Sequence, residues 1–252
     1  MKTKNIIFIL MPCLFLISCD KPELYTQVVT KIEAKVENAS KYSNVVEVIL
    51  MAHNGSFYEF VELARGDWNG EGFSVELPEM VDTKYLHSLV NVSGYYMTII
   101  NPPSTVSISN KNVKVDNVAF FGVDKDDNVI TRFYSIEIDS DGYRQDAYYT
   151  YVDSDVTISG YTKRKNDTFA WTEYDNARYD GIMPIFLPFD IITTNYSIKW
   201  EKGWNVWTFS RFGDLKKNTA TEKWAPAAIS RIKWYSAEDL WTGNRNQQMS
   251  NY

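Results

Sequence analysis

Tyr196-Ser197-Ile198-Lys199-Trp200-Glu201-Lys202-Gly203-Trp204-Asn205-Val206-Trp207-Thr208-Phe209 is the stretch whose reading decides the fold. Two runs rich in aromatic and β-branched residues flank three turn-forming residues, and that pattern predicts a β-hairpin. Side chains alternate across a strand, so Trp204 and Val206 share one face, and Trp207 and Phe209 take the other. Both faces are apolar, so one buried side is not enough. Burial of both faces would require the second run to be a central strand.

The same rhythm extends towards the N-terminus. Val28 to Glu37 places Val28, Ile32, Ala34 and Val36 on one face and Lys31, Glu33, Lys35 and Glu37 on the other, as in a half-buried strand. Val45 to Ala52 is apolar on both faces and reads as central. Asn54-Gly55 then predicts a hairpin into Phe57 to Ala64. Phe73 to Leu77 alternates and stops at Pro78. Asp82 to Val90 reads as a short helix capped by Asp82. Further strands are expected over Tyr95–Ile100, Val106–Ser109, Val113–Val115, Val118–Val123, Val129–Tyr134, Ala147–Val152, Val156–Tyr161, Phe169–Tyr174 and Arg231–Tyr235. Ile182 to Ile192 is apolar but carries Pro184 and Pro188, which suits a packed loop or an edge. Helical periodicity is nearly absent. The expectation is an all-β chain, an antiparallel sandwich of immunoglobulin- or transthyretin-like type, arranged as two packed units over residues 28–110 and 111–236. Residues 237–252 read as a loose, polar tail.

The first residues carry a different signal. Lys2 and Lys4 precede a mostly apolar run from Ile6 to Ile17, too short for the roughly 20 residues that cross a bilayer. Leu16-Ile17-Ser18-Cys19 has the form of a lipobox. Cleavage is expected between Ser18 and Cys19, with residues 1–18 removed and lipid attached to the Cys19 thiol. Residues 19–27, which include Pro22, form a tether. Two or three acyl chains hold a protein at a membrane durably, where one holds it weakly. Asp20-Lys21-Pro22-Glu23 after the cysteine resembles the surface-export signal of Bacteroidota lipoproteins. An outer-membrane lipoprotein is expected, on the cell surface in preference to the periplasmic face.

Composition narrows the function. Of 26 basic residues, loss of Lys2 and Lys4 leaves 24 against 32 acidic ones, a charge of −8. No basic patch stands out, which argues against nucleic-acid partners. The two cysteines are Cys13, removed with the signal, and Cys19, taken by lipid. No disulfide, thiol nucleophile or thiolate metal site is left to the mature chain. His53 and His87 lack the spacing of a zinc site, and no metal or cofactor is expected. Asp124-Lys125-Asp126-Asp127-Asn128 and Asp139-Ser140-Asp141-Gly142 offer oxygen ligands, but turn chemistry explains both. No Gly-x-Ser-x-Gly elbow or phosphate loop occurs.

Aromatic residues are the remaining candidates. Trp171, Trp200, Trp204, Trp207, Trp224, Trp234 and Trp241 crowd the C-terminal half. Core packing is favoured over a binding platform for the set. Trp204, Trp207 and Trp241 are the candidate ligand-binding rings, with Trp241 outside any expected strand. A non-enzymatic role is expected, binding a glycan or protein or serving a structural part. The rivals are an envelope hydrolase using paired carboxylates and a fimbrial or assembly subunit. A contiguous exposed row of rings would support binding, and a cleft lined by close acids would support hydrolysis.

Several phrases resemble a group of Bacteroidota cell-surface lipoproteins. They are Lys31-Ile32-Glu33-Ala34-Lys35-Val36-Glu37-Asn38, Gly72-Phe73-Ser74-Val75-Glu76-Leu77-Pro78-Glu79 and Tyr149-Thr150-Tyr151-Val152-Asp153-Ser154-Asp155-Val156-Thr157-Ile158, then Lys202-Gly203-Trp204-Asn205 and Ile232-Lys233-Trp234-Tyr235. The resemblance implies a lipid-anchored, β-rich surface protein and assigns no catalytic residue.

Overall fold

A computed structural model describes residues 28–53, 60–91, 99–100, 102–138, 144–165, 190–214 and 216–240. The chain is all-β, with a large mixed sheet. Its strands are β1 (Lys31–Lys35), β2 (Glu47–His53), β3 (Phe60–Trp68), β4 (Gly72–Glu76), β5 (His87–Ser88), β6 (Val90–Asn91), β7 (Ile99–Ile100) and β8 (Val106–Ile108). Then come β9 (Lys114–Asn117), β10 (Ala119–Val123), β11 (Val129–Ile138), β12 (Arg144–Val152), β13 (Val156–Lys165), β14 (Ile191–Trp200), β15 (Gly203–Asp214), β16 (Thr219–Pro226) and β17 (Ile232–Ser236).

Fifteen strands share one sheet, in the order β1-β4-β3-β2-β10-β11-β12-β15-β16-β14-β13-β8. Off this path, β17 pairs with β11, and β9 pairs with β12 and β5, while β6 and β7 form a separate parallel pair. The path curls back on itself. The Glu37 N–H donates to the Trp234 carbonyl at 2.8 Å, which brings the end of β1 against β17.

The curl encloses a first core. Ile32 and Ala34 of β1 enter it, as their alternation requires, together with Val48, Leu50, Phe73, Val75, Phe120, Phe133 and Trp234. Val28, expected on the same face, is instead exposed. A second core lies across β12 and β15. Leu89, Val113, Val152, Ile158, Ile198, Trp200, Trp207 and Trp224 fill it. β15 serves both, sending Trp204 and Val206 to the first core and Trp207 to the second. It lies between β12 and β16, and this central position accounts for its two apolar faces. Both cores take residues from either side of residue 110, where the sequence suggested a boundary.

The expected hairpin at Glu201-Lys202-Gly203 does not form. β16 lies between its two arms, parallel to β14 from Ile191↔Thr219 to Tyr196↔Trp224 and antiparallel to β15 from Trp207↔Pro226 to Asp214↔Thr219. The sheet is therefore mixed where an antiparallel one was expected. Asn205, fully buried, holds the link open. Its amide donates to the carbonyls of Glu201 and Gly203 at 2.7 and 3.0 Å, and its oxygen accepts the Glu201 N–H at 3.1 Å. Backbone groups of the link are thereby satisfied by one side chain. Gly203 supplies a positive φ of 111° at the bend, a conformation that suits glycine. Trp200, Trp207 and Trp224 pack between the separated arms, with centroids 4.7 to 6.5 Å apart.

Two smaller expectations also change. Asp82 does cap a helical turn, accepting the Lys84 N–H at 3.0 Å, but the turn is a 3-10 helix over Thr83–Tyr85 and gives way to β5. At the C-terminal end, residues 237–240 form a helical turn. Leu240 is buried there, and Asp239 is ion-paired with Lys41, so the start of the expected loose tail is fixed.

Candidate functional site: an aromatic and arginine face

The pleat of β10, β11 and β17 sends alternate residues to opposite sides of the sheet. Phe120, Phe133 and Trp234 point into the first core. Their neighbours Phe121, Arg132, Tyr134 and Tyr235 take the other side, where all four are half-buried. Cross-strand register aligns them. Phe121 stands opposite Arg132, and Tyr134 opposite Tyr235.

The resulting row is contiguous. The rings of Phe60 and Phe121 meet edge to face at 5.6 Å. The Arg132 guanidinium lies 5.7 Å from the Phe121 ring and 4.9 Å from that of Tyr134, within cation–π range. Arg144 of β12 lies 5.8 Å from the Tyr235 ring. His53 adds its ring to Phe60 at 4.8 Å at the other end. Five neighbouring strands carry the row from β3 to β17, about 19 Å at ~4.8 Å per step.

Charge is distributed unevenly along it. Asp146 stands opposite Ile136 and Phe209. Its carboxyl meets solvent but sits among enough protein that burial pushes its pKa up, against the pull of Arg144 and Arg211. Burial likewise lowers the Arg144 pKa, with Asp146 opposing. The Arg132 guanidinium forms no ion pair or hydrogen bond among the described residues, and its Nε is buried without a partner. Such a face can stack planar or ring-shaped ligands and offer them a cationic fork.

The sequence's own candidates lie elsewhere. Trp204 and Trp207 are 3% and 0% exposed, so neither ring is open to a ligand. Trp204 donates its Nε1–H to the Pro78 carbonyl at 2.7 Å, and Trp207 donates to Thr150 Oγ1 at 2.8 Å. Trp241, Ser18 and Cys19 lie outside the described residues, as do Trp171, the Phe169–Tyr174 segment and the Asp139–Gly142 turn. Residues 182–189 of the Pro-containing segment do too, while Ile191 and Ile192 open β14.

The acids of the expected turn are employed locally. Asp124 accepts the backbone N–H groups of Asp126 and Asn128, Asp126 pairs with Lys125, and Asp127 pairs with Arg65. Among the described residues no cluster of three metal-ligating side chains occurs. The buried carboxylates are engaged as well. Glu222 receives Arg211 and the Thr194 hydroxyl, at 3.0 Å from Nε and 2.7 Å respectively, and Glu137 accepts the Ala228 N–H at 2.9 Å. Asp116 accepts the His53 N–H at 3.1 Å and lies 3.5 Å from His53 Nδ1. Burial pushes the Asp116 pKa up, with contacts from His53 and then the charge of His87 opposing. Sequence spacing gave no hint that both histidines converge on one acid.

The aromatic row was missed for a related reason. Phe121, Arg132 and Tyr134 each sit beside a core residue in sequence. Strict period-two alternation through Arg132-Phe133-Tyr134-Ser135 was the available signal. No protein-family model matches the chain, and no curated protein or solved structure matches it significantly.

Proposed function

We propose that this protein is a lipid-anchored cell-envelope protein, held through Cys19, whose β domain binds glycans without transforming them. The observation that carries the reading is the contiguous row Phe60, Phe121, Tyr134 and Tyr235, bridged by Arg132 and Arg144. Half-open rings on a rigid sheet present part of their flat apolar surface at low entropic cost, and sugar rings stack on such surfaces. Elsewhere on the described chain the buried acids are engaged in hydrogen bonds, which favours binding over hydrolysis. We also read the sheet folded over the first core as a sandwich of immunoglobulin- or transthyretin-like type. The passage of β11 from β10 to β12 and β17 supports that arrangement.

The anchor and the binding face are tested separately. Cys19→Ala is expected to release the chain from the outer-membrane fraction or leave it uncleaved, read by fractionation and mass spectrometry. Unchanged membrane attachment of the correctly cleaved variant would refute the anchor. For the face, the purified protein is screened on a glycan array beside Tyr134→Ala. Glycan signals that drop at least tenfold in the variant support the reading, and a signal-free array or one indifferent to Tyr134 overturns it.

A further inference from the structure

Arg132 is the exception among the described arginines. Arg65, Arg164, Arg211 and Arg231 each sit in an ion pair, and Asp146 faces Arg144. The Arg132 guanidinium has neither an ion pair nor a hydrogen bond among the described residues, although the side chain is half-buried and its Nε is out of contact with water. The sealed Nε is as far out of a ligand's reach as of water's, but the rest of the guanidinium is neither sealed nor hydrogen-bonded, so its N–H donors are open to an acceptor. The two flanking rings of Phe121 and Tyr134 orient the guanidinium plane without neutralising it. In a chain with an excess of acidic residues, an uncommitted cation at the centre of an aromatic row is a specific device.

We propose that Arg132 reads an acidic group, a carboxylate or sulfate, on the glycan bound by this face. The proposal rests on the glycan-binding reading and names its ligand class: an acidic polysaccharide. A guanidinium fork pairs two oxygens of a planar carboxylate or of a sulfate at once, which an ammonium does not. Stacking on Phe121 and Tyr134 places a sugar ring beside that fork. Tyr235 and Arg144 extend the contact along the chain of sugars, so a short stretch of polymer is held rather than a single ring.

The test uses the purified full-length protein in detergent and two matched pairs of probes. Polygalacturonate is compared with its carboxyl-reduced form, and dextran sulfate with unsulfated dextran. Calorimetry is expected to show at least tenfold tighter binding to the acidic member of one pair, with that preference weakening as salt rises. The pair that discriminates identifies carboxylate or sulfate as the group. Arg132→Gln should erase the preference, with an unchanged melting temperature and near-ultraviolet circular dichroism spectrum certifying that the variant is folded. Arg132→Lys should retain only part of it. Equal affinity for both members of each pair overturns the acidic ligand and leaves glycan binding standing. No binding to any of the four probes overturns the acidic-ligand proposal and, together with a signal-free array, the glycan reading beneath it.

Discussion

Phe120 and Phe121 are neighbours in sequence with opposite fates. Phe120 is buried against Phe73, Tyr149 and Trp234, with centroids 4.9 to 5.9 Å away. Phe121 meets Phe60 and the Arg132 guanidinium on the half-open side. The same division separates Phe133 from Arg132 and Tyr134, and Trp234 from Tyr235. Aromatic content alone says nothing about which rings hold the fold and which are available to a partner. The pleat decides, and it decides one residue at a time.

The strongest way to break the comparison is on the inner side. Trp234 stacks on Tyr149 at 5.6 Å and meets Phe73 and Phe120 edge-on. Trp234→Ala is expected to cost about 3–5 kcal/mol of unfolding free energy, as truncation of a buried large aromatic does. Denaturant titration measures it, and a loss under about 1 kcal/mol would remove Trp234 from the core.

Tyr149 tests the same side through pH. Burial raises its phenol pKa above the ordinary value of about 10. The folded chain therefore keeps this proton where the unfolded chain gives it up. The Tyr149 contribution is fully present below about pH 10 and is lost as pH rises towards the raised folded value. Stability of the parent should fall more steeply above pH 10 than that of Tyr149→Phe, by about 1.4 kcal/mol per pH unit. Parallel slopes would show that the phenol ionises freely in the fold.

Outer-face changes should be smaller for stability. Tyr134→Ala is expected to cost under about 1 kcal/mol, in the range of surface substitutions and lost exposed cation–π contacts, while abolishing binding. A cost above about 3 kcal/mol would make Tyr134 a core residue. Smallest of all is Arg132→Met, which keeps the apolar stem and removes the unpaired guanidinium. Thermal melting should shift by no more than about 2 °C in either direction, corresponding to roughly half a kcal/mol for a chain of this size. A large loss would mean that Arg132 supports the fold.

Much of this architecture was readable residue by residue. The alternation in β1 gave the inward Ile32 and Ala34, and the two-faced apolar run of β2 gave a strand flanked by β3 and β10. β16 was not readable. Its inward residues are Ala220, Glu222 and Trp224. A hydrophobic pattern with a carboxylate at its middle position looks like a loop. Glu222 is tolerated there because Arg211 and Thr194, one from each neighbouring strand, meet its oxygens. With β16 unseen, a hairpin between β14 and β15 was the natural inference. The aromatic and arginine face was hidden differently, since its residues lie inside strands whose other faces explain their hydrophobicity.

The inserted β16 has a consequence for how the chain reaches its native state. β14 and β15 are joined by two residues and emerge before β16 during synthesis. Local closure is fast, and hairpins form in about 1–10 μs, far sooner than a more distant strand can arrive. A premature β14–β15 hairpin would occupy the hydrogen-bonding edges that β16 needs. In the folded chain Asn205 engages the link itself, and β16 separates the two arms beyond it. The slowest step of folding would then be the insertion of β16 between two arms that were synthesised before it.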